Sequence, residues 1–312
     1  MTILVIGGAG FIGRRLVALL VARGERVVCM DITPAHASFE QFGEAVEAVR
    51  GDVTQFDDII GTMKMAKPDR VLNLSYHISS DLPPHQALKL NVMGMGNCFE
   101  AARLCEVPHT VYASSVAVNG LQSHYGDRLV HEDDPCHGTR QYAMNKRFNE
   151  FQARDYRDKY GMCITGVRPA QVTGPDKIYG SVDHVNCMSQ PALGKPVCFP
   201  YRDTMRAPIH VDDMAQIFAR VVLCDEPEHP IYNSGGRALS MGALADMVRQ
   251  FLPEAQIEFE HDTGGRELCD NYLINNARLV GEFGMEFPPF EDRVRQTIND
   301  VRRAHDLPAI DC

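Results

Sequence analysis

No two cysteines stand at C-x-x-C spacing, no apolar run approaches the ~20 residues of a membrane span, and basic residues do not outnumber acidic ones. Each absence removes a class of function. Without paired cysteines there is no signal for a zinc knuckle or a redox dithiol. Against 41 Asp and Glu the chain has 31 Lys and Arg, for a net charge of −10 over 312 residues, which excludes the basic stripe of a nucleic-acid surface. The opening run Ile3–Ile6 is too short for a signal h-region and has no basic flank. A cytoplasmic protein with no membrane or nucleic-acid partner is expected. The ten cysteines are scattered, several inside apolar runs where they behave as small hydrophobes, which suits a reducing compartment. No repeat or low-complexity tract interrupts the chain.

What is present is alternation. Hydrophobic residues make up 45% and charged residues 23%, ordinary globular usage. Ile3–Ile6, Arg26–Met30, Val46–Val49, Val71–Leu74, Thr110–Ala113 and Cys163–Val167 read as strands. Phe11–Ala22, Ala87–Arg103 and Gln141–Lys159 between them read as helices. Strands separated by helical crossovers predict an α/β fold with a parallel sheet covered on both faces. After Arg168 the spacing of Pro and Gly predicts a smaller, loop-built, substrate-binding part over residues 169–312. Val211–Leu223 and Met241–Phe251 are helical within it, and segments near 208–226 return to the first domain, residues 1–168.

Gly7-Gly8-Ala9-Gly10-Phe11-Ile12-Gly13 closes the first strand as G-x-x-G-x-x-G. Such a turn excludes side chains so that backbone can approach a pyrophosphate, and the following helix aims free N–H groups at it. Asp31 ends the second strand, eighteen residues beyond Gly13, where a carboxylate accepts from the adenosine ribose hydroxyls and repels a 2′-phosphate. NAD is therefore expected over NADP. Arg14 and Arg15 read as a solvated helix face. Asp52, in Gly51-Asp52-Val53-Thr54, reads either as a receiver of the adenine amino group or as a helix-capping loop acid.

Tyr142 and Lys146 sit at i and i+4, one turn apart on one helix face. A cation beside a phenol favours the phenolate and makes it a usable acid/base for alcohol–carbonyl interconversion. Ser115 lies just beyond the fifth strand, where ligands of such sheets bind, and can hold the reacting oxygen. Ser114 should face the other way.

The ordered elements Gly7–Gly13, Asp31, Gly51-Asp52, Asn91–Gly94, Ser114–Val118, Tyr142–Lys146, Arg168-Pro169 with Gly174-Pro175, Ile209–Asp213 and Tyr232-Asn233 span roughly residues 1–235. In them the chain resembles an extended short-chain dehydrogenase/reductase of the NAD-dependent epimerase/dehydratase family. The resemblance implies a Rossmann-type doubly wound sheet. It implies Tyr142 as acid/base, Lys146 as its activator and ribose ligand, and Ser115 as substrate orienter. It places Gly7, Gly10, Phe11, Ile12, Gly13, Asp31, Asp52, Val53, Leu74, Ser75 and Pro169 around NAD. It also implies a homodimer pairing the two long helices.

The departures bear on the substrate. Val116-Ala117 stands where the family's dehydratases carry an Asp-Glu pair, which argues against elimination chemistry. Asn119 replaces a tyrosine and Gln171 an asparagine of the sugar-nucleotide epimerases. The run from Cys198 to Pro208 is similar to the family's threonine dehydrogenases. An NAD-dependent oxidoreductase acting on a secondary alcohol of a small or medium polar substrate is the leading expectation, with a nucleotide-sugar 4-epimerase as the alternative. Ser115, Val116, Gln171 and Arg206 are the candidate substrate contacts. Arg206 reads either as a carboxylate or phosphate anchor or as a surface ion pair. His131-Glu132-Asp133-Asp134 with His137 reads as solvated turn residues rather than a metal site, and His210 as a core or lobe-contact histidine.

Overall fold

The computed structural model describes residues 1–78, 82–266 and 269–310; Cys312, one of the ten cysteines, lies outside them. The first half of the chain runs β1 (Thr2–Ile6), α1 (Gly13–Ala22), β2 (Arg26–Asp31), β3 (Val46–Arg50), α2 (Phe56–Ala66), β4 (Arg70–Asn73), α3 (Pro84–Leu88), α4 (Gly94–Leu104), β5 (His109–Ala113), α5 (Gln141–Tyr160) and β6 (Ile164–Arg168). It continues through β7 (Gln171–Thr173), α6 (Asp183–Ala192), β8 (Val197–Tyr201), β9 (Met205–Arg206), β10 (Pro208–His210), α7 (Val211–Leu223) and β11 (Ile231–Asn233). It closes with β12 (Leu239–Ser240), α8 (Met241–Phe251), β13 (Ile257–His261), α9 (Ala277–Phe283) and α10 (Phe290–Arg303).

Seven parallel strands form the main sheet in the order β3-β2-β1-β4-β5-β6-β11. The order reverses between β1 and β4, and Ile6 faces Asn73 at the end of that pair. The crevice beyond such a reversal is where open α/β sheets bind ligands. Alternation along β1 shows why helices are needed on both faces. Ile3 and Val5 join the cluster under α1 and α7, whereas Leu4 and Ile6 join the cluster under α2 and α4. α7 lies beside α1, with Met214, Ile217, Phe218 and Val221 fully buried. This fits the expected return of the chain near residue 208, and the return extends to β11 at the sheet edge.

The predicted long helix over Ala87–Arg103 is α3 and α4 joined through a π-helical turn, Lys89–Met93. Such a turn holds one extra residue and is a local feature that hydrophobic spacing does not report.

The C-terminal part is not loop-built. α6, α8 and α10 surround a cluster of their own that includes Met188, Leu244, Val248, Val294 and Ile298, capped by the β8–β13 pair. Its helices are amphipathic but short, and Pro191 falls in the last turn of α6, which made that segment read as a breaker.

Candidate functional site

The glycine turn is built as its spacing requires. Gly7 has φ +79°, and a Cβ there would lie 2.7 Å from the Ser75 amide nitrogen. A Cβ on Gly13 would meet the Gly7 carbonyl at 2.4 Å and the Gly8 Cα at 2.6 Å. These two glycines let α1 start hard against β1 and β4. Gly10 is less crowded, its nearest neighbour being the Gly7 carbonyl at 3.2 Å, so its missing side chain leaves open backbone rather than packing. No side chain caps the N-terminus of α1, so its partial positive charge is left for an anion.

Asp31 reaches back to this turn. Its carboxylate accepts from the Ala9 amide at 3.1 Å and from the Thr33 amide at 3.1 Å. Asp52 accepts from the Thr54 amide at 2.8 Å, the loop-acid role, and sits beside buried Val53. Leu74 continues the β4 ladder by donating to Ile6, and Ser75 is fixed by its amide and hydroxyl on Asn73 Oδ1, at 2.9 and 2.6 Å. Phe11 lines the turn beneath Gly174, and Pro169 accepts from the Val116 amide at 3.1 Å. Arg14 and Arg15 are not a free solvated face. Both donate to Asp176, at 2.7 and 3.0 Å, a partner 161 or more positions away that local spacing could not reveal.

Ser115 opens the crossover that follows β5, as the N-cap of a short 3₁₀ turn, Val116–Asn119, its hydroxyl accepting from the Ala117 amide at 3.1 Å. Tyr142, in the first turn of α5, faces it. Burial pushes that phenol above its ordinary pKa, and the Ser115 hydroxyl opposes the rise. Lys146, one turn on, is 2% exposed. Its ammonium donates to the Ala113 carbonyl at 2.7 Å and lies 3.6 Å from the centre of the Tyr76 ring. Burial lowers its pKa to about 7, with Glu150 opposing the fall. The predicted trio thus meets at the carboxyl ends of β5 and β6. Ser114 points the other way, as expected, and donates to Glu150.

Sequence reading missed the base of this pocket. Glu150 takes Ser114 and both Nε and Nη2 of Arg168, each at 2.8 Å, and Arg168 is 3% exposed. Glu150 lies four residues beyond Lys146, on the same helix face, so its place was legible from spacing. Tyr76 meets Tyr142 edge-on, the ring centres 5.3 Å apart at 82°.

The candidate substrate contacts fare differently. Val116 is buried against the turn. Gln171 uses its side-chain oxygen on the Ala207 amide at 2.7 Å, tying β7 to the entry of β10. Arg206 is neither free nor a simple surface pair. Its guanidinium grips Asp183 at the head of α6, Nε to Oδ2 at 2.9 Å with Nη2 on the same oxygen. Burial raises the Asp183 carboxyl, but bonds from His184 and Arg206 outweigh it and hold the group far below its usual range. Lys177, half-buried beside them, donates to the Val172 carbonyl at 2.8 Å, and desolvation lowers its pKa to about 8.

One reading of the acidic segment is corrected. Glu132 is not solvated: it is 4% exposed and accepts from the Asn233 amide at 2.9 Å. Asp134 pairs with Arg128 and accepts from the His131 amide. His137 stacks on His124, the ring centres 4.6 Å apart. His210 is buried and caps α7 through Nδ1. No described helix is long and apolar enough to cross a membrane.

Residues 3–235 match the profile of the NAD-dependent epimerase/dehydratase family. A UDP-glucose 4-epimerase from Mycolicibacterium smegmatis is 32% identical over 232 residues, 70% of this chain and 72% of that protein. Among solved structures, the UDP-glucose 4-epimerase of Thermus thermophilus, in complex with NAD, superposes with a TM-score of 0.84 at 24% identity, covering 97% of this chain and 100% of that one. An L-threonine dehydrogenase from Cupriavidus necator gives 0.82 at 19% identity, covering 96% and 100%. At these identities the structural likenesses speak to the fold.

Proposed function

The chain belongs to the NAD-dependent epimerase/dehydratase family, and from that premise we propose that it is an NAD-dependent oxidoreductase interconverting a secondary alcohol and a ketone on a small or medium polar substrate. The observation that carries this reading is that Ser115 and Tyr142 face one another beside Lys146, whose ammonium is fixed on the Ala113 carbonyl at the end of β5. The Tyr142 phenol oxygen takes the hydroxyl proton in oxidation and returns it in reduction, while Ser115 holds the reacting oxygen. Bound NAD supplies the hydride acceptor. The residues fit that cofactor: Gly7 and Gly13 let α1 start close against the sheet, Gly10 leaves open backbone in the turn, no side chain caps α1, and Asp31 stands at the end of β2. That carboxylate supports NAD over NADP.

The pairing of Arg206 with Asp183 supports a small substrate, because an anchor already bound to a carboxylate is a weak seat for a diphosphate. Val116 and Ala117 offer no carboxyl group for elimination. The 32% identical UDP-glucose 4-epimerase favours a second reading, 4-epimerisation of a sugar nucleotide at the same Ser115, Tyr142 and Lys146. A panel of hydroxy acids, amino alcohols, sugars and sugar nucleotides assayed with NAD separates them. Net growth of reduced-nicotinamide absorbance supports the oxidoreductase; epimerised UDP-sugar without it overturns that reading for the second.

A homodimer belongs to the same proposal. Met144, Phe148 and Phe151 on α5 and Leu88 and Met93 on the α3–α4 helix are 46–59% exposed, an apolar stripe suited to a second copy.

A further inference from the structure

A lysine 2% exposed has to recover in the protein what it gives up in water. Around Lys146 the compensation is unusual. Its one hydrogen bond among the described residues goes to a neutral carbonyl, Ala113. The nearest acid, Glu150 on the next turn of α5, is already taken by Arg168 from β6 and Ser114 from the end of β5. The phenol of Tyr142 on the same helix faces Ser115. What faces the ammonium closely is the ring of Tyr76, 3.6 Å from its centre, a geometry in which the negative π face attracts a cation most where water is excluded.

The backbone that carries this ring is fixed on both sides. The preceding residue, Ser75, is bonded to Asn73. The following residue, His77, is clasped at both backbone groups by Asn91, which accepts from its amide at 2.8 Å and donates to its carbonyl at 3.0 Å. The side chain itself is tied to α5: its hydroxyl donates to the Tyr142 carbonyl at 3.4 Å, and its ring meets that of Tyr142.

Resting on the reading of Tyr142 and Lys146 as the proton-handling pair, we propose that Tyr76 is their positioning residue: its ring face keeps the Lys146 ammonium charged and in place, and its edge sets the Tyr142 ring. The hydroxyl of Tyr76 anchors the ring, and the π face acts on the cation.

The test follows the lysine directly. The full chain, free of added cofactor and carrying isotope-labelled lysine, is titrated by NMR, and the Lys146 signal is assigned by its loss in Lys146→Met. In the parent protein its midpoint is expected near 7. Tyr76→Phe keeps the face and leaves the midpoint in place. Tyr76→Leu removes the face but not the apolar surroundings, so the midpoint falls by about half a pH unit or more. Tyr76→Met, unbranched and similar in bulk, repeats the measurement should the leucine variant not fold. An unchanged midpoint in the leucine or methionine variant overturns the proposal, and so does a fall in the phenylalanine variant equal to theirs. The readout needs no substrate, so a failure to reduce NAD sinks the oxidoreductase reading while leaving this one standing or falling separately.

Discussion

Arg206 and Asp183 are joined through a single carboxylate oxygen that receives two guanidinium nitrogens, across 23 positions of sequence and between β9 and α6. The pair leaves little of the cation free for a multiply charged ligand. Asp183→Asn should therefore strengthen binding of UDP by about fivefold or more, read by calorimetry. Tight UDP binding by the parent protein, unaltered in the variant, would mean that the arginine is open as it stands.

Removing the arginine is the complementary test. Arg206→Ala should raise the Michaelis constant of an anionic substrate about tenfold and change kcat far less, since the side chain binds and does not react. An untouched Michaelis constant ends its candidacy as an anchor.

Tyr142→Phe keeps the ring and its edge contact with Tyr76 but removes the proton carrier. Turnover should drop by about 10²–10⁴ while NAD affinity, followed by fluorescence titration with NADH, stays within about threefold. Intact turnover would exclude the phenol from the chemistry.

The glycines separate packing from binding. Gly13→Ala pushes a methyl group into the Gly7 carbonyl and should lower the melting temperature by several degrees. Gly10→Ala meets only that carbonyl at 3.2 Å, so it should melt near the parent temperature yet bind NAD at least about tenfold more weakly. Equal affinity in the Gly10 variant would remove the turn from the cofactor site.

Lys146 makes stability depend on pH. Its pKa is about 7 when folded against an ordinary 10.5. Between those values the unfolded chain binds a proton that the folded chain does not, so stability rises with pH across that window, and the full burial cost applies below 7. Lys146→Met should therefore unfold later than the parent at pH 6, by roughly 5 kcal/mol in denaturant titrations, with the difference shrinking toward pH 10. A constant difference across pH would assign the effect to packing alone.

The central alternation was legible because it follows from local chemistry. β1 is a continuous apolar run ended by glycines, and α7 is amphipathic over its full length, so their bounds fell within a residue of the sequence reading. Ser115, Tyr142 and Lys146 were found because one helical turn and one strand end set their geometry. What escaped was set by distant partners. Asp176 on Arg14 and Arg15, Asp183 on Arg206, and Glu132 on Asn233 are bonds between segments far apart in the chain. Within the C-terminal part α8 was legible, but α6 was hidden for another reason: Pro191 and the flanking glycines resemble turn punctuation, and packing on α8 and α10 supports α6 as a helix.

α5 carries Tyr142 and Lys146 toward the pocket and Phe148 and Phe151 toward the outside, twenty residues in one unbroken rod. A rigid rod transmits tilt and rotation without absorbing them. On the proposed chemistry, a load on those two outward phenylalanines, such as a second copy packed there, would be carried along the rod to Tyr142 and Lys146, and a substitution remote from any ligand would read out in an assay as altered turnover.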